Sequence, residues 1–366
     1  MSFKNFDLLP QSLKALARQK ITHPTLIQEK AIPLLLESND IIAQAKTGSG
    51  KTLAFSLPLV EFVDPKNKAP QALVITPTRE LANQIVELIS ELSKEDKLKV
   101  LAIFGGRSIG AQVNALKRGA QILVATPGRL VDLIKRNDIR LDAINYVVLD
   151  EADEMLDKGF ARDIDFIFKK ITGEYLTALF SATMPDWVLE AGKKYLHQPV
   201  TVKVETKPED APKIEHTALT FSGPRINVLK QLLNSATDGS SIVFGRTKRG
   251  VRRLAKQLDQ AGFSVGCLQG NMSQNARDRV LQAFRDGESS ILVATNVAAR
   301  GLDIDHVEQV INYELPESSE LLTHRLGRTG RIGREGFAYT LVGAEDAKKW
   351  NKLKRDSRLK IQTVKA

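Results

Sequence analysis

A single cysteine, Cys267, occurs in 366 residues. No internal disulfide can form, so the chain suits a reducing compartment. The expected role of Cys267 is that of a small apolar residue in a buried strand. Aromatic residues are scarce, at 6%, and none interleaves the basic segments described below, which argues against base stacking as a main binding mode. No apolar run reaches 18 residues, and Lys4 and Asp7 interrupt the first ten. Neither a membrane span nor a secretory leader is expected, and the sequence reads as cytosolic.

What is present is ordinary globular composition, 42% hydrophobic and 26% charged, with length enough for two domains that each bury a core. Lys and Arg number 53 against 43 Asp and Glu. That excess favours a polyanionic partner.

The chain is organised around Ala45-Lys46-Thr47-Gly48-Ser49-Gly50-Lys51-Thr52, which follows the apolar run 40–44 and leads into Leu53-Ala54-Phe55. A strand, a glycine-bearing turn and a helix start make a phosphate-binding loop. Gly48 and Gly50 free backbone N–H groups to point inward, and the helix dipole adds positive potential. Lys51 can reach the outer phosphates of a nucleoside triphosphate, and the Thr52 hydroxyl can ligate Mg²⁺. Upstream, Thr25 reads as the N-cap of a helix with Gln28 in its first turn. The carboxamide of Gln28 could read an adenine edge, although a solvated glutamine is the commoner outcome at a helix start.

Short apolar runs then alternate with helical stretches: 72–76, 100–104, 122–126, 146–149 and 178–180. The pattern predicts a parallel sheet covered by helices on both faces. Polar residues gather after these runs, at 77–80, 105–106, 126–129, 150–153 and 181–183. Ligands of open α/β sheets bind at the strand carboxyl ends, so this punctuation falls on one edge. Around 205–212 two prolines and mixed charge read as a linker. Alternation restarts at 241–244, 264–268, 291–295, 309–313 and 338–342, and Ile-Leu-Val-Ala-Thr recurs at 122–126 and 291–295. Two domains of like topology with one phosphate loop predict a nucleotide held in a cleft between them.

Asp150 and Glu151 end an apolar strand. At a phosphate-loop site Asp150 would hold Mg²⁺ and Glu151 would orient or deprotonate the attacking water. Far downstream, 324–331 carries three arginines among glycines. Arg328 and Arg331, three apart, would share a helical face, and guanidinium groups there could stabilise γ-phosphate charge, an effect of about 10³–10⁵ in turnover. A basic loop contacting nucleic-acid phosphates would fit the same residues. His324 has no ligand partners spaced for a metal and is expected to pack or hydrogen-bond. Arg79, Arg129, Arg246, Arg277 and Arg300, beside Thr78, Thr126, Thr247 and Thr295, supply phosphate contacts in both halves, so little base specificity is expected.

In this order the segments resemble the DEAD-box family of ATP-dependent RNA helicases, from Phe3 to about Val342. The matches are the Pro-Thr-x-x-Gln ending at Gln28, the loop 45–52, 77–84, 105–106, 126–130, 150–153, 181–183, 244–247, 274–277, 294–303 and 324–331. The resemblance implies two RecA-like α/β domains, at 1–204 and 214–366, joined by a linker at 205–213. ATP would bind with Mg²⁺ between the domains, and RNA would lie in a groove across both. It implies that Thr25 and Gln28 bind adenine, that Ile21 packs on the base, and that Phe3 is the upstream aromatic. Asp303 would contact the ribose, and Arg328 and Arg331 would be arginine fingers. RNA backbone would be held by Thr78, Arg79, Gly106, Thr126, Gly128 and Arg129 from one domain and by Thr247, Gln274, Arg277 and Thr295 from the other. Asp153, Ser181, Thr183 and His324 would couple hydrolysis to RNA remodelling.

Three departures stand out. Lys20-Ile21 replaces the usual Gly-aromatic pair, Asn296 replaces an Asp near the RNA path, and Gly245-Arg246 replaces an apolar-Asn pair. The implied activity is ATP-driven separation of short RNA duplexes by a cytoplasmic monomer, assisted by protein cofactors. A slow-turnover, ATP-gated RNA clamp shares every motif. A DNA translocase of the same superfamily is disfavoured by Gln28 and the 150–153 match. The basic tail 352–365 reads as a solvated or frayed end.

Overall fold

The computed structural model describes residues 2–46, 48–204, 214–235, 239–270, 272–296, 307–330, 335–357 and 359–365. They divide into two compact units, Met1–Thr206 and Lys207–Ala366.

In the first unit the strands are β1 (Ile41–Gln44), β2 (Ala72–Ile75), β3 (Val100–Ile103), β4 (Ile122–Ala125), β5 (Tyr146–Leu149), β6 (Leu176–Ser181) and β7 (Val200–Lys203). They form one parallel sheet in the order β3-β4-β2-β5-β6-β1-β7. The helices are α1 (Pro10–Arg18), α2 (Leu26–Leu36), α3 (Lys51–Phe62), α4 (Arg79–Leu92), α5 (Ile109–Lys117), α6 (Pro127–Lys135), α7 (Ala152–Asp157), α8 (Ala161–Phe168) and α9 (Asp186–Tyr195). The inner strands β2, β4 and β5 are apolar at every position because both faces are covered. Tyr146 and Val148 of β5 enter one hydrophobic core, and Val147 and Leu149 enter the other.

The second unit repeats the plan. Its strands are β8 (Ile214–Thr220), β9 (Ser240–Gly245), β10 (Val265–Leu268), β11 (Ile291–Thr295), β12 (Val307–Asn312), β13 (Gly336–Val342) and β14 (Gln362–Lys365), ordered β10-β11-β9-β12-β13-β8-β14. Its helices are α10 (Arg225–Ser235), α11 (Lys248–Asp259), α12 (Gln274–Arg285), α13 (Ser319–Leu326) and α14 (Ala347–Ser357). The two sheet orders correspond strand for strand, and the repeated Ile-Leu-Val-Ala stretches are β4 and β11, second from the edge in each. Two RecA-like parallel sheets are thus the observed fold.

Three strands were not legible in the sequence. β7 and β14 lie at sheet edges with most side chains exposed, and β8 interleaves polar residues, so none shows the uniform apolar run of an inner strand. The tail is also not frayed. Trp350 and Leu353 bury α14 against the second sheet, Trp350 meets His216 edge to face, and β14 pairs in register with β8. Among the described residues no helix is long and apolar enough to cross a membrane.

Candidate nucleotide and RNA sites

Strand order divides the carboxyl edge of the first sheet in two. The phosphate loop follows β1, and Asp150 and Glu151 follow β5; these strands flank β6, which ends at the coupling residue Ser181, in the order β5-β6-β1. The residues expected at RNA follow β2, β3 and β4, the neighbours on the other side.

On the nucleotide half, Gly50 takes the left-handed conformation (φ 90°) at the N-cap of α3. An added Cβ would lie 3.0 Å from Thr25 Oγ1 and closer still to Gln28 Nε2, so only glycine fits. Gln28 itself is 3% exposed and not solvated. Its Oε1 accepts from the Thr25 backbone N–H (2.9 Å), as in a capping box, and its Nε2 donates to the Gly50 carbonyl (3.0 Å). The Thr25 hydroxyl donates to the Ser49 carbonyl (2.8 Å). The adenine-motif residues are therefore built into the wall of the phosphate loop. Lys51, 7% exposed, closes that loop by donating its Nζ to the Ala45 carbonyl (2.6 Å). Thr52 is half-buried in the first turn of α3, Gly48 has φ 80°, and Thr47 lies outside the described residues. Ile21 is half-buried against the core. Phe3 is buried in it, edge to face with Phe6, so its ring faces protein.

Asp150, 2% exposed, accepts from the backbone N–H of Glu151 (3.0 Å). Burial pushes its carboxyl up to about 6, against the pull of the Lys51 ammonium. Glu151 sits at φ 52°, a conformation that costs a non-glycine residue energy. Its carboxyl is held well above the usual range, first by burial and then by the Glu154 and Asp150 carboxylates. Its Oε2 is buried with no hydrogen-bond partner. A buried and a half-buried acid beside a buried lysine, one with an orphaned oxygen, are what a polyphosphate, its cation and a water molecule would complete. Among the described residues no group of three or more His, Cys, Asp or Glu could cage a metal. A divalent ion at Asp150 and Thr52 would therefore draw oxygens from the nucleotide, as Mg²⁺ commonly does.

A third cluster lies at the ends of β5 and β6, within the same half. Asp153 Oδ2 accepts from the backbone N–H and the hydroxyl of Thr183 (2.9 and 2.8 Å). Ser181 Oγ accepts from the Asp153 N–H (3.3 Å) and donates to the Thr183 carbonyl (2.7 Å). The α7 helix that begins beside Asp150 is thereby tied to the end of β6.

On the RNA half, Thr78 caps α4 by accepting from the Leu81 N–H (3.2 Å). The Arg79 guanidinium lies over Gly106 (φ 87°), where an added Cβ would stand 2.8 Å from Cζ. Thr126 is the N-cap of α6, and Gly128, in its first turn, faces open space. Arg129 donates Nη1 to the Arg107 carbonyl (3.2 Å).

The second sheet repeats the division. Thr247, Gln274 with Arg277, and Thr295 follow β9, β10 and β11, while His324 and Arg328 follow β12. Thr247 is exposed and caps α11. Thr295 and Gln274 are buried, and Gln274 Nε2 holds Asp278 (2.8 Å), so its amide is already engaged. Helix α13 ends at Leu326, so Arg328 lies beyond the helix and not on the helical face expected for it. Gly327 stops the helix, and the buried Thr329 hydroxyl bonds the Val307 and Glu308 carbonyls (2.8 and 2.6 Å), drawing the chain toward β12. Arg331, Asp303 and Arg300 lie outside the described residues.

Sequence reasoning missed Arg325. It is 3% exposed, with Nε on Asn296 Oδ1 (2.6 Å) and Nη1 on Asn312 Oδ1 and the Glu314 carbonyl (both 2.8 Å). Its guanidinium also covers the Phe244 ring. Burial lowers its pKa to about 10. Asn296 thus hydrogen-bonds the helix carrying His324, and an Asp in its place would have put its charge against Arg325. The Arg246 N–H donates to Glu314 Oε2 (2.6 Å), binding the end of β9 to the same cluster.

A family model described as DEAD/DEAH box helicase matches residues 25–191, and one described as Helicase conserved C-terminal domain matches 224–333. The chain is 45% identical to the ATP-dependent RNA helicase CshA of Listeria monocytogenes over 93% of its own length and 66% of that protein's. It is 42% identical to the CshA of Geobacillus kaustophilus over 100% and 78%. A structure of Saccharomyces cerevisiae Dbp5 bound to RNA and ADP BeF3 superposes with a TM-score of 0.88 at 34% identity, covering 100% of this chain and 95% of that one. The chain belongs to the DEAD-box family of helicases.

Proposed function

We propose that this chain is an ATP-dependent RNA helicase that binds single-stranded RNA through both units, separates short duplexes locally and hydrolyses ATP to recycle. The grouping of Lys51, Asp150 and Glu151 on the β5-β6-β1 half, with a buried orphan oxygen on Glu151, is the observation that carries this reading. Lys51 and the backbone N–H groups of 48–52 hold the phosphates of ATP. Thr25 and Gln28, already joined to the loop, set its position against the base. Glu151, its pKa raised by burial, orients the attacking water and takes its proton. Mg²⁺, held by Thr52 and Asp150, would neutralise phosphate charge. The second unit supplies Arg328 and Arg331 for the charge that builds on the γ-phosphate. Asp153, Ser181 and Thr183, with His324, carry the state of the nucleotide to the RNA contacts. Residues 205–213 serve as the linker, and the protein works in the cytoplasm as a monomer with protein cofactors.

Strand separation tests this directly. A short RNA duplex with one labelled strand should release it when ATP is added, and should not with Lys51→Ala. ATP-independent release, or none while ATP is hydrolysed, would overturn the helicase assignment.

A further inference from the structure

Helix α11 exposes a face that is basic from Lys248 to Lys256. Lys248, Arg249, Arg252, Arg253 and Lys256 are all exposed, and Asp259 is the helix's one acid. Val251, Leu254, Ala255 and Leu258 face the opposite way, into the core over β9 and β11. The basic side chains therefore cover one continuous stripe, about 12 Å long.

This arrangement works against the helix. Lys248 and Arg252, Arg249 and Arg253, and Arg252 and Lys256 are like charges four apart on the helix, pairs that destabilise it. Lys248 and Arg249 also occupy the first turn, where the helix dipole disfavours cations. Arg249, Arg252, Arg253 and Lys256 make no ion pair among the described residues.

Nor does the position in the fold demand it. Helix α4 follows β2 as α11 follows β9, and each begins at a threonine cap, Thr78 or Thr247. Yet the exposed face of α4 carries Glu87 and Glu91. The stripe also runs on from the RNA half of the sheet edge. The Lys248 stem leans over the loop after β10, where an added Cβ at Gly270 would stand 3.2 Å from its Cε.

We propose that the α11 face is a track for the phosphate backbone of RNA extending beyond the core contacts at Thr247. It would hold flanking RNA without reading sequence, since guanidinium and ammonium groups meeting phosphates carry no base information. The inference rests on the RNA-helicase reading and adds a second, length-dependent contact surface to it.

The test is the variant Arg249→Gln, Arg253→Gln, Lys256→Gln in the full chain. Binding is measured with a non-hydrolysable ATP analogue over a salt series. Two RNAs are compared: the shortest that fully stimulates hydrolysis, and the same one extended at both ends. On the extended RNA the variant's slope of log affinity against log salt should be shallower by about 2, from about 0.7 per lost contact. On the short RNA its affinity and stimulated turnover should match the parent's, which also shows that the variant is folded. Identical slopes on the extended RNA would overturn the proposal. So would an equal loss on the short RNA, because α11 would then belong to the core groove. A parent chain with no RNA-stimulated hydrolysis would instead remove the helicase reading on which the proposal stands, a separate failure.

Discussion

Asp153 and Thr183 are joined twice, with one carboxylate oxygen accepting both the backbone N–H and the hydroxyl of the threonine at 2.9 and 2.8 Å. Hydrogen bonds to a charged group contribute about 1.5–3 kcal/mol, so the link can hold α7 and the end of β6 as one body. If it transmits nucleotide state, Ser181→Ala with Thr183→Ala should leave RNA-stimulated ATP hydrolysis within a few fold of the parent while strand separation collapses. Both rates measured on one preparation decide the matter, and a parallel fall in the two would refute a coupling role.

Glu151→Gln should slow hydrolysis by about 10²–10⁴-fold, the usual contribution of a general base. Removing a carboxyl whose ionisation burial and acidic neighbours already disfavour should not weaken the fold. Nucleotide affinity should stay within a few fold, measured by fluorescence of a labelled nucleotide. Unchanged turnover would transfer the role to another residue.

Lys20 follows the α1 C-cap, Gln19, and has φ 57°. This left-handed position costs an L-residue about 1–2 kcal/mol and glycine almost nothing. Lys20→Gly should therefore raise the melting temperature of the first unit by about 2–4 °C. A decrease would show that the Lys20 side chain holds something that outweighs the backbone strain.

His216 supplies the pH dependence. Burial lowers its pKa to about 4, while Nε2 shares the Thr340 hydroxyl at 2.9 Å and Nδ1 has no partner. The folded chain thus keeps it neutral where the unfolded chain, near 6.5, protonates it. Its contribution is complete above pH 6.5 and is lost as pH falls toward 4, to a total of about 3 kcal/mol. Denaturant unfolding of the second unit should weaken across that window. His216→Phe, which keeps the contact with Trp350 apolar, should flatten the slope. An unchanged slope would place the acid sensitivity elsewhere.

Much of this architecture was legible. Inner strands such as β4 and β5 are apolar throughout because they are buried on both faces, and polar residues cluster after them because ligands meet a parallel sheet there. Lys51, Asp150 and Glu151 could be named because their chemistry requires those residue types at those places. Edge strands β7 and β14 were not legible, since exposed side chains carry no burial pattern. Arg325 was hidden for a related reason. Within 324–331 it looks like its neighbours, and only the structure separates an arginine buried on Asn296, Asn312 and Phe244 from Arg328, beyond the helix end. Nor does sequence distance reveal that Asn296, just after β11, meets Arg325 of α13.

The most direct test is steady-state ATP hydrolysis by the full chain alone, with single-stranded RNA, and with DNA of the same sequence. Strong stimulation by RNA and little by DNA is expected. Equal stimulation by DNA would contradict RNA recognition, and no stimulation while ATP-dependent RNA binding persists would make the chain a clamp rather than a helicase.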